Sequence, residues 1–583
     1  MNHENRREED SRYKVANKEA LIGVGLVVLN FILWYGFAYG LGSGPVEEYN
    51  YIFGLPAWFF YSCIVVTIVI FILVILSVVF LFKEVPLEDE EGGREMNWEV
   101  VIPLLIFLVI IFFIGFYASK YLKTTADFLQ EYFLGSRQLG GFILAMTMVA
   151  TYGSASSFVG GPGVAYTMGL GWVLLSMTQL ATGYFVLSVL GKKFAIMARK
   201  IRAVTLIDFL KERYQSKWVV ILSATSIIIF LFSAMAAQWV GGARLIESLT
   251  GLSYTAALFI FAVSVLVYVI IGGFRAVAIT DTVQGVVMFF GTLIILIGTI
   301  IAGGGVENIV SDLAAENPDL ISPYGADGSL TPLYVSSFWI LVGVGVVGLP
   351  QVAVRAMSYK SSRGMHRALI IGTAVVGFIM LGMHLAGVFA RPVLPGIEVG
   401  DTVMPRIAME VLPGWLAGIV LAAPMAAIMS TVDSLLLLVS SAVVKDVYLN
   451  YVKPGADDKT VKRFSITVTT VIGLLVFAMA IQPPDLLIWL NLFAFGGLEA
   501  AFIWPVVMGL YWKKGNASGA MASIVTGVGS YIVFHSFMPN AFGMHTVVLP
   551  VVLSFLAYVG VSLLTVKQHA EVQKQVFQKL WSS

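Results

Sequence analysis

The sequence predicts an all-α polytopic membrane protein in which two five-helix halves are related by inverted topology. Three observations predict it. The composition is 58% hydrophobic and only 12% charged, about half the charge of an ordinary soluble domain. Apolar runs of roughly the 20 residues that cross a bilayer recur along the chain. Two of these runs are interrupted. In 141–173, Gly153, Ser154, Ser156, Ser157, Gly160, Gly161, Pro162 and Gly163 stand where a plain span carries Leu and Ile, and 341–352 reads LVGVGVVGLPQV. Lipid cannot satisfy unwound backbone, so a broken span must be buried in protein or line a wet cavity. Two such segments at matching places in two halves point to a secondary transporter and its binding site.

The elements follow in order. A charged tail, MNHENRREEDSRYKVANK, precedes spans near 20–41 and 56–82. The first apolar run is long and lacks a small-residue cleavage site, so it reads as an anchor and not as a removed signal. An acidic linker, Glu84 to Glu99, marks the best domain boundary and separates a two-helix module with its linker (1–96) from the remaining chain (97–583). Thirteen further spans are expected at 98–119, 141–165, 171–190, 218–243, 254–271, 277–302, 334–354, 368–390, 413–441, 464–482, 486–512, 519–537 and 546–566. Spans 141–302 and 334–512 hold five helices each, so the two broken helices enter from opposite sides.

Basic residues orient the spans. The loop after 190 carries Lys192, Lys193, Arg199, Lys200 and Arg202. Further clusters are Arg355/Lys360/Arg363/Arg367, Lys445/Lys453/Lys459/Lys462/Arg463 and Lys513/Lys514, whereas 303–333 carries five acids and no Lys or Arg. The alternation places the basic loops and the C-terminus in the cytoplasm of a multi-pass cell-membrane protein, with residue 98 starting outside. The basic tail residues argue the other way, for a tail inside. The long core outweighs them.

Composition also excludes. A net charge of +1 says nothing about partners, and no nucleic acid partner is expected; the lone Cys63 rules out an internal disulfide or a cysteine metal cluster. The six histidines show no metal-ligand spacing, no phosphate-binding loop suggests ATP drive, and no acid–base or nucleophile constellation suggests an enzyme. The lipid bilayer is the expected surrounding, and oligomeric state is left open.

In 413–441, Ala427, Ser430, Thr431 and Ser434 recur at i, i+3, i+4 and i+7, a small polar stripe on an apolar helix. Such a stripe serves close helix packing. It also serves a hard cation, which needs several oxygens, and carbonyls freed by the break near Ala150 and Gly153 would complete the set. The broken partner favours the cation. Acids inside spans are costly and mark function. Asp281 reads as such an acid, or equally as an interfacial one near the cytoplasmic end. Asp433 lies nearly on the Ser430 face, and Glu499 is mid-span, where a helix–helix hydrogen bond is the ordinary reading. His384 reads as a packing histidine, Arg244 and Glu247 as a pair near an outer helix end, and Gly272-Gly273 as a tight turn. Ser154, Ser156 and Ser157 lie in the break beside a half-helix start whose unpaired N–H groups would attract a carboxylate. Gln179 and Gln351 would add amide contacts, with ordinary interhelix bonding the competing reading for each.

These residues resemble the sodium:solute symporter family, with 97–566 most similar to its sodium/pantothenate branch. The resemblance rests on EYFLGSRQLGG (131–141), LAMTMVATYGSASSFVGGPG (144–163), GLGWVLLSM (169–177), GGARLIE (241–247), IGGFRAVAITDTVQG (271–285), GLPQVAVRAMSYK (348–360), GMHLAG (382–387), LAAPMAAIMST (421–431) and IWLNLFAFGGLEAAFIWP (488–505). It implies a leucine-transporter-type inverted repeat with one helix before the core and two after it. It implies sodium-coupled import of pantothenate, with a sodium ion on backbone oxygens of Ala150, Gly153 and Ala427 and the hydroxyls of Ser430 and Thr431; the alternatives are a sodium symporter for another small carboxylate, or a membrane sensor or channel using the same fold. Asp281 matches the family's sodium-linked acid. Ser154 matches a broken-helix serine close to both ligands, and Asp433, with Ser434 beside it, stands where some members hold a second sodium. Relatives with other substrates carry Asn or Asp at the position of Tyr152, which makes substrate transfer from them unsafe. The first ninety or so residues, ending VPLEDEE, resemble a separate family of small two-helix membrane proteins, YhdT-like.

Overall fold

The computed structural model describes residues 98–118, 137–482 and 487–580, with scattered positions between 29 and 73. The chain divides into two compact units, Met1–Gly93 and Arg94–Ser583. The spans expected near 20–41 and 56–82 lie mostly outside the described residues, as does most of the acidic linker. A two-residue antiparallel ladder, Tyr51–Ile52 with Leu55–Pro56, is the only strand pair among the described residues.

The second unit is helical. It begins with α1 (Trp98–Ala118) and the broken pair α2 (Gly141–Tyr152) and α3 (Ser156–Met168), bent by 68°. Then come α4 (Leu170–Lys200), α5 (Leu206–Tyr214), α6 (Lys217–Thr250), α7 (Tyr254–Ala302) and the short outer α8 (Val306–Glu316). The second half opens on α9 (Pro332–Gly348) and α10 (Pro350–Ser358), bent by 50°, followed by α11 (Ser362–Val393), α12 (Val403–Val411), α13 (Gly414–Val452), α14 (Asp458–Ala480) and α15 (Leu487–Tyr511). Helices α16 (Ala517–Phe537), α17 (Val548–Leu564) and α18 (Ala570–Leu580) end the described chain. Eight long apolar helices, two bent pairs and three shorter apolar helices account, among the described residues, for the thirteen expected spans.

The inversion is visible in one contact. Leu139, just before α2, forms a parallel bridge with Tyr359, just after α10, with hydrogen bonds Leu139 N to Ser358 O and Lys360 N to Leu139 O. The first broken helix therefore enters where the second one leaves. This requires five crossings in the first half, two of them from α7. Helical hydrogen bonding covers Tyr254–Ala302, yet its two ends share one side of the bundle. Tyr254 Oη donates to Ala480 O at the end of α14, and Gly298 packs on Leu412 just before α13. Helices α13 and α14 are joined by a short link at their other ends, so Ala480 and Leu412 lie together. The chain thus reverses between the apolar stretches Tyr254–Leu266 and Val277–Ala302, around the expected Gly272-Gly273.

Two expected loops are helical. The run after 190 continues through a widened turn, Leu187–Gly191, into Lys192–Lys200. Helix α13 likewise runs past Ser441 through Ala442–Val452, which places Lys445 on the helix, 2.9 Å from Asp208. Basic residues mark the end of a crossing and leave open whether the helix stops there. Helix α13 is the axis of the unit, with 89% of its apolar window inside the protein against 28% for α14. A helix that is apolar all round is a buried one. At the α3–α4 junction Gly169 takes φ +75°, and a Cβ there would lie 2.0 Å from Leu320 O, so only glycine fits the turn.

Candidate ion and substrate site

The first break follows from its sequence. After Tyr152 the backbone leaves the helix at Gly153 (φ −65°, ψ 125°), in a run of Gly and Ser with little helix preference. Freed polar groups need partners inside a membrane protein, and they have them. Ala155 N donates to Gln238 Oε1 of α6 at 2.8 Å, and Ser157 N and Phe158 N donate to Ser154 O. The half-helix start therefore offers a carboxylate fewer N–H groups than its sequence suggests. The second break is graded. A widened turn at Trp339–Val344 and a tight one at Gly345–Gly348 lead to extended Leu349 and then Pro350, which has no N–H to give. Tyr152 Oη and Thr182 Oγ1 both donate to the loosened Val342 carbonyl, at 2.8 and 2.9 Å.

The carbonyls on the near side of the first break meet the α13 stripe. Ser430 Oγ lies 2.8 Å from Ala150 O and 3.0 Å from Ala427 O, and Thr431 Oγ1 lies 2.9 Å from both Gly153 O and Ala427 O. Five oxygens converge, all on buried residues. Each hydroxyl has one proton, so two protons serve four contacts. The cluster is rich in acceptors, and a monovalent cation among them would satisfy all five once the hydroxyl protons turn outward.

Asp281 belongs to a neighbouring group. Its Oδ2 accepts from Thr147 Oγ1 (2.5 Å) and from Arg355 Nη2 (3.1 Å), while Oδ1 has no hydrogen-bond partner among the described residues. Arg355 Nη2 also donates to Ser434 Oγ at 2.8 Å, its Nε to Thr147 O, and its Nη1 to Gln351 O. Ser434 Oγ in turn donates to Ser430 O, linking this group to the five oxygens. Asp281 is fully buried. Arg355, which its sequence neighbours place in a cytoplasmic basic cluster, is 1% exposed and stabilised on the inner half of the second broken helix. Asp433 is also fully buried.

Beside the first break lies a cavity lined by Tyr152, Ser154, Ser156, Ser157, Trp172, Leu175, Ser176, Gln179, Phe338, Val342, His384, Ile488, Asn491, Leu492 and Phe495. Four expected substrate residues, Ser154, Ser156, Ser157 and Gln179, are on its wall. Gln351 is not. It is buried on α10, one turn before Arg355, which donates to its main-chain carbonyl. The sequence reading missed Trp172 and Ser176, although they share one α4 face with Gln179 at i, i+4 and i+7, and it missed Asn491 and the apolar wall, which come from other helices; it left His384 as packing. Glu499 is fully buried, and neither carboxylate oxygen has a hydrogen-bond partner among the described residues, so the expected helix–helix bond is not made. Arg244 and Glu247 pair at 3.0 Å as expected. No Asp, Glu, Lys or Arg lines the cavity.

Residues 132–527 match the Sodium:solute symporter family. The chain belongs to that family. This member is 51% identical to the sodium/pantothenate symporter of Haemophilus influenzae over 466 residues, which is 79% of this chain and 96% of that protein. It is 49% identical to the Escherichia coli sodium/pantothenate symporter over 464 residues, again 79% of this chain and 96% of that protein. Its fold is that of a solved Na+-coupled sialic acid symporter in a substrate-bound outward-open state (TM-score 0.67, 19% identity, 82% of this chain and 98% of the other). Residues 15–91, ahead of the family region, match a family described as a protein of unknown function, DUF997.

Proposed function

We propose that this chain is a sodium-coupled importer of pantothenate that works by alternating access. The observation that carries the coupling is the five-oxygen cluster. It joins the first broken helix to α13, so a sodium ion held by Ala150, Gly153, Ala427, Ser430 and Thr431 would favour whichever state keeps those elements together. An ion can drive transport only through such a difference in affinity between states. Asp281 acts on this site through Thr147 and the Arg355–Ser434–Ser430 chain of hydrogen bonds. The substrate reading is supported by the two relatives with about half their residues in common, both named sodium/pantothenate symporters.

The cavity suits the molecule. Pantothenate carries one carboxylate, an amide, two hydroxyls and a dimethyl-substituted carbon. The carboxylate meets Ser154, Ser156 and Ser157, next to the sodium ligand Gly153, so the ion supplies the positive charge that the cavity wall lacks. Phe338, Ile488, Leu492 and Phe495 form an apolar face for the dimethyl group. The basic loops and C-terminus face the cytoplasm, and the first unit is an accessory module.

Purified protein in liposomes tests this. An inward sodium gradient is expected to drive accumulation of labelled pantothenate, with β-alanine, which lacks the hydroxylated half, competing poorly. Accumulation of proline or a short monocarboxylate with pantothenate ignored would overturn it.

A further inference from the structure

His384 sits on α11 with its side chain on the cavity wall, 3% exposed. Its Nδ1 lies 2.7 Å from the Met380 carbonyl, one turn earlier in the same helix. A carbonyl only accepts, so Nδ1 carries the proton. No acidic side chain lines the cavity to balance an imidazolium, and a buried uncompensated charge is costly. The ring is therefore neutral, and Nε2 holds a bare lone pair.

The ring lines the cavity beside the broken helix and packs closely on Gly161, where an added Cβ would lie 2.4 Å from His384 Nε2, so glycine is what lets the imidazole sit there. Two donors to the same cavity also lack partners among the described residues: Ser156 Oγ, one turn before Gly161, and Trp172 Nε1, whose ring is fixed edge-on between Phe338 and Trp489. A cavity wall with an unused acceptor and unused donors, none charged, fits the neutral polar part of a substrate.

We propose that His384 Nε2 is the acceptor for a substrate hydroxyl and that the cavity wall it shares with Trp172 is the subsite that selects hydroxylated carboxylates over their deoxy analogues. The proposal rests on the pantothenate reading above and names the group within the substrate that this subsite reads. Trp172 Nε1 donates to the neighbouring carbonyl oxygen, while Ser156 stays with the carboxylate. An analogue lacking the hydroxyl leaves Nε2 unpaired and loses affinity.

The test compares pantothenate with its analogue lacking the hydroxyl next to the amide, in liposomes and by equilibrium binding to detergent-purified protein. The wild type is expected to prefer pantothenate by about 10- to 100-fold in apparent affinity, the range for stranding one buried polar group. His384→Phe keeps the ring volume but has no acceptor. It is expected to weaken pantothenate by that factor and the analogue by less than about twofold. His384→Gln, whose amide oxygen accepts, is expected to recover part of the preference. Equal weakening of both ligands in His384→Phe would reduce the residue to packing and overturn the proposal, as would an undiminished preference for pantothenate in that variant. Wild-type pantothenate uptake is scored separately. If it fails while another hydroxylated carboxylate accumulates, the substrate reading falls, and the same paired comparison with that ligand and its deoxy form still decides the role of His384.

Discussion

Arg355 Nη2 and Asp281 Oδ2 meet at 3.1 Å with side chains 1% and 0% exposed. The pair joins α10 to α7, and Thr147 and Ser434 extend it to α2 and α13. Both broken helices are thus anchored on one intramembrane ion pair, about one helical turn from the five-oxygen cluster.

Breaking such a pair from one side strands a buried charge, which costs about 3–5 kcal/mol. Arg355→Met and Asp281→Asn are each expected to lower the unfolding temperature in detergent and to impair sodium-driven uptake. The double variant is expected to regain part of the stability, because it strands neither charge, while uptake stays low. Single variants as stable as the wild type would show that the pair contributes no net charge interaction.

Ser430→Ala and Thr431→Ala each remove one of five converging oxygens. Each is expected to raise the sodium concentration for half-maximal uptake about tenfold, in the range of one hydrogen-bonding group lost from a buried site. The folded fraction is expected to change little, since alanine suits a helix interior. Well-expressed variants with unchanged sodium dependence would move the ion elsewhere.

The stripe was legible in sequence because helical spacing alone aligns Ala427, Ser430, Thr431 and Ser434, and the break was legible because Gly and Ser replace Leu and Ile. Their union at 2.8 and 2.9 Å follows from both being central. Arg355 was misread, since a basic residue near Lys360 and Arg363 looks like a loop marker until α10 is seen to carry it inward. Gln351 was drawn to the cavity by its position near a break, yet it does not line that cavity. His384 was set aside because the feature that gives it a free nitrogen, the pairing of Nδ1 with its own helix, leaves no trace in composition.

Pantothenate is a monovalent anion, so one sodium per substrate moves no net charge and two move one. Ser434 accepts from Arg355 and donates to Ser430, so a second ion would depend on the buried carboxylate of Asp433 beside it. Solid-supported membrane recordings are expected to show electroneutral uptake, unaltered in ratio by Asp433→Asn. A current carrying one positive charge per pantothenate, lost in Asp433→Asn, would establish the second site.

The unit boundary at Gly93–Arg94 and the family region starting at 132 leave the first residues outside the ion and substrate groups. Removing residues 1–92 is expected to keep uptake per folded molecule within about twofold. Its loss in a correctly inserted, monodisperse truncation would make the module part of transport.

Asp401, in the connection before α12, is 5% exposed, and burial pushes its carboxyl up to about 6, with Arg244 pulling in the other direction. An acid whose folded value lies above its unfolded value of 3.8 holds its proton longer when folded. Its contribution to stability therefore falls as pH rises from about 4 to about 6 and stays lost above that. Asn mimics the neutral acid and keeps an oxygen to accept the backbone N–H of Leu487 that Asp401 binds. Asp401→Asn is expected to be more stable than the wild type at pH 8, by on the order of 1–3 kcal/mol, and about equal at pH 4. The difference between the two unfolding temperatures across that range isolates this residue from all other titrating groups. A difference that does not change with pH would show that Asp401 stays ionised in the fold, compensated by Arg244.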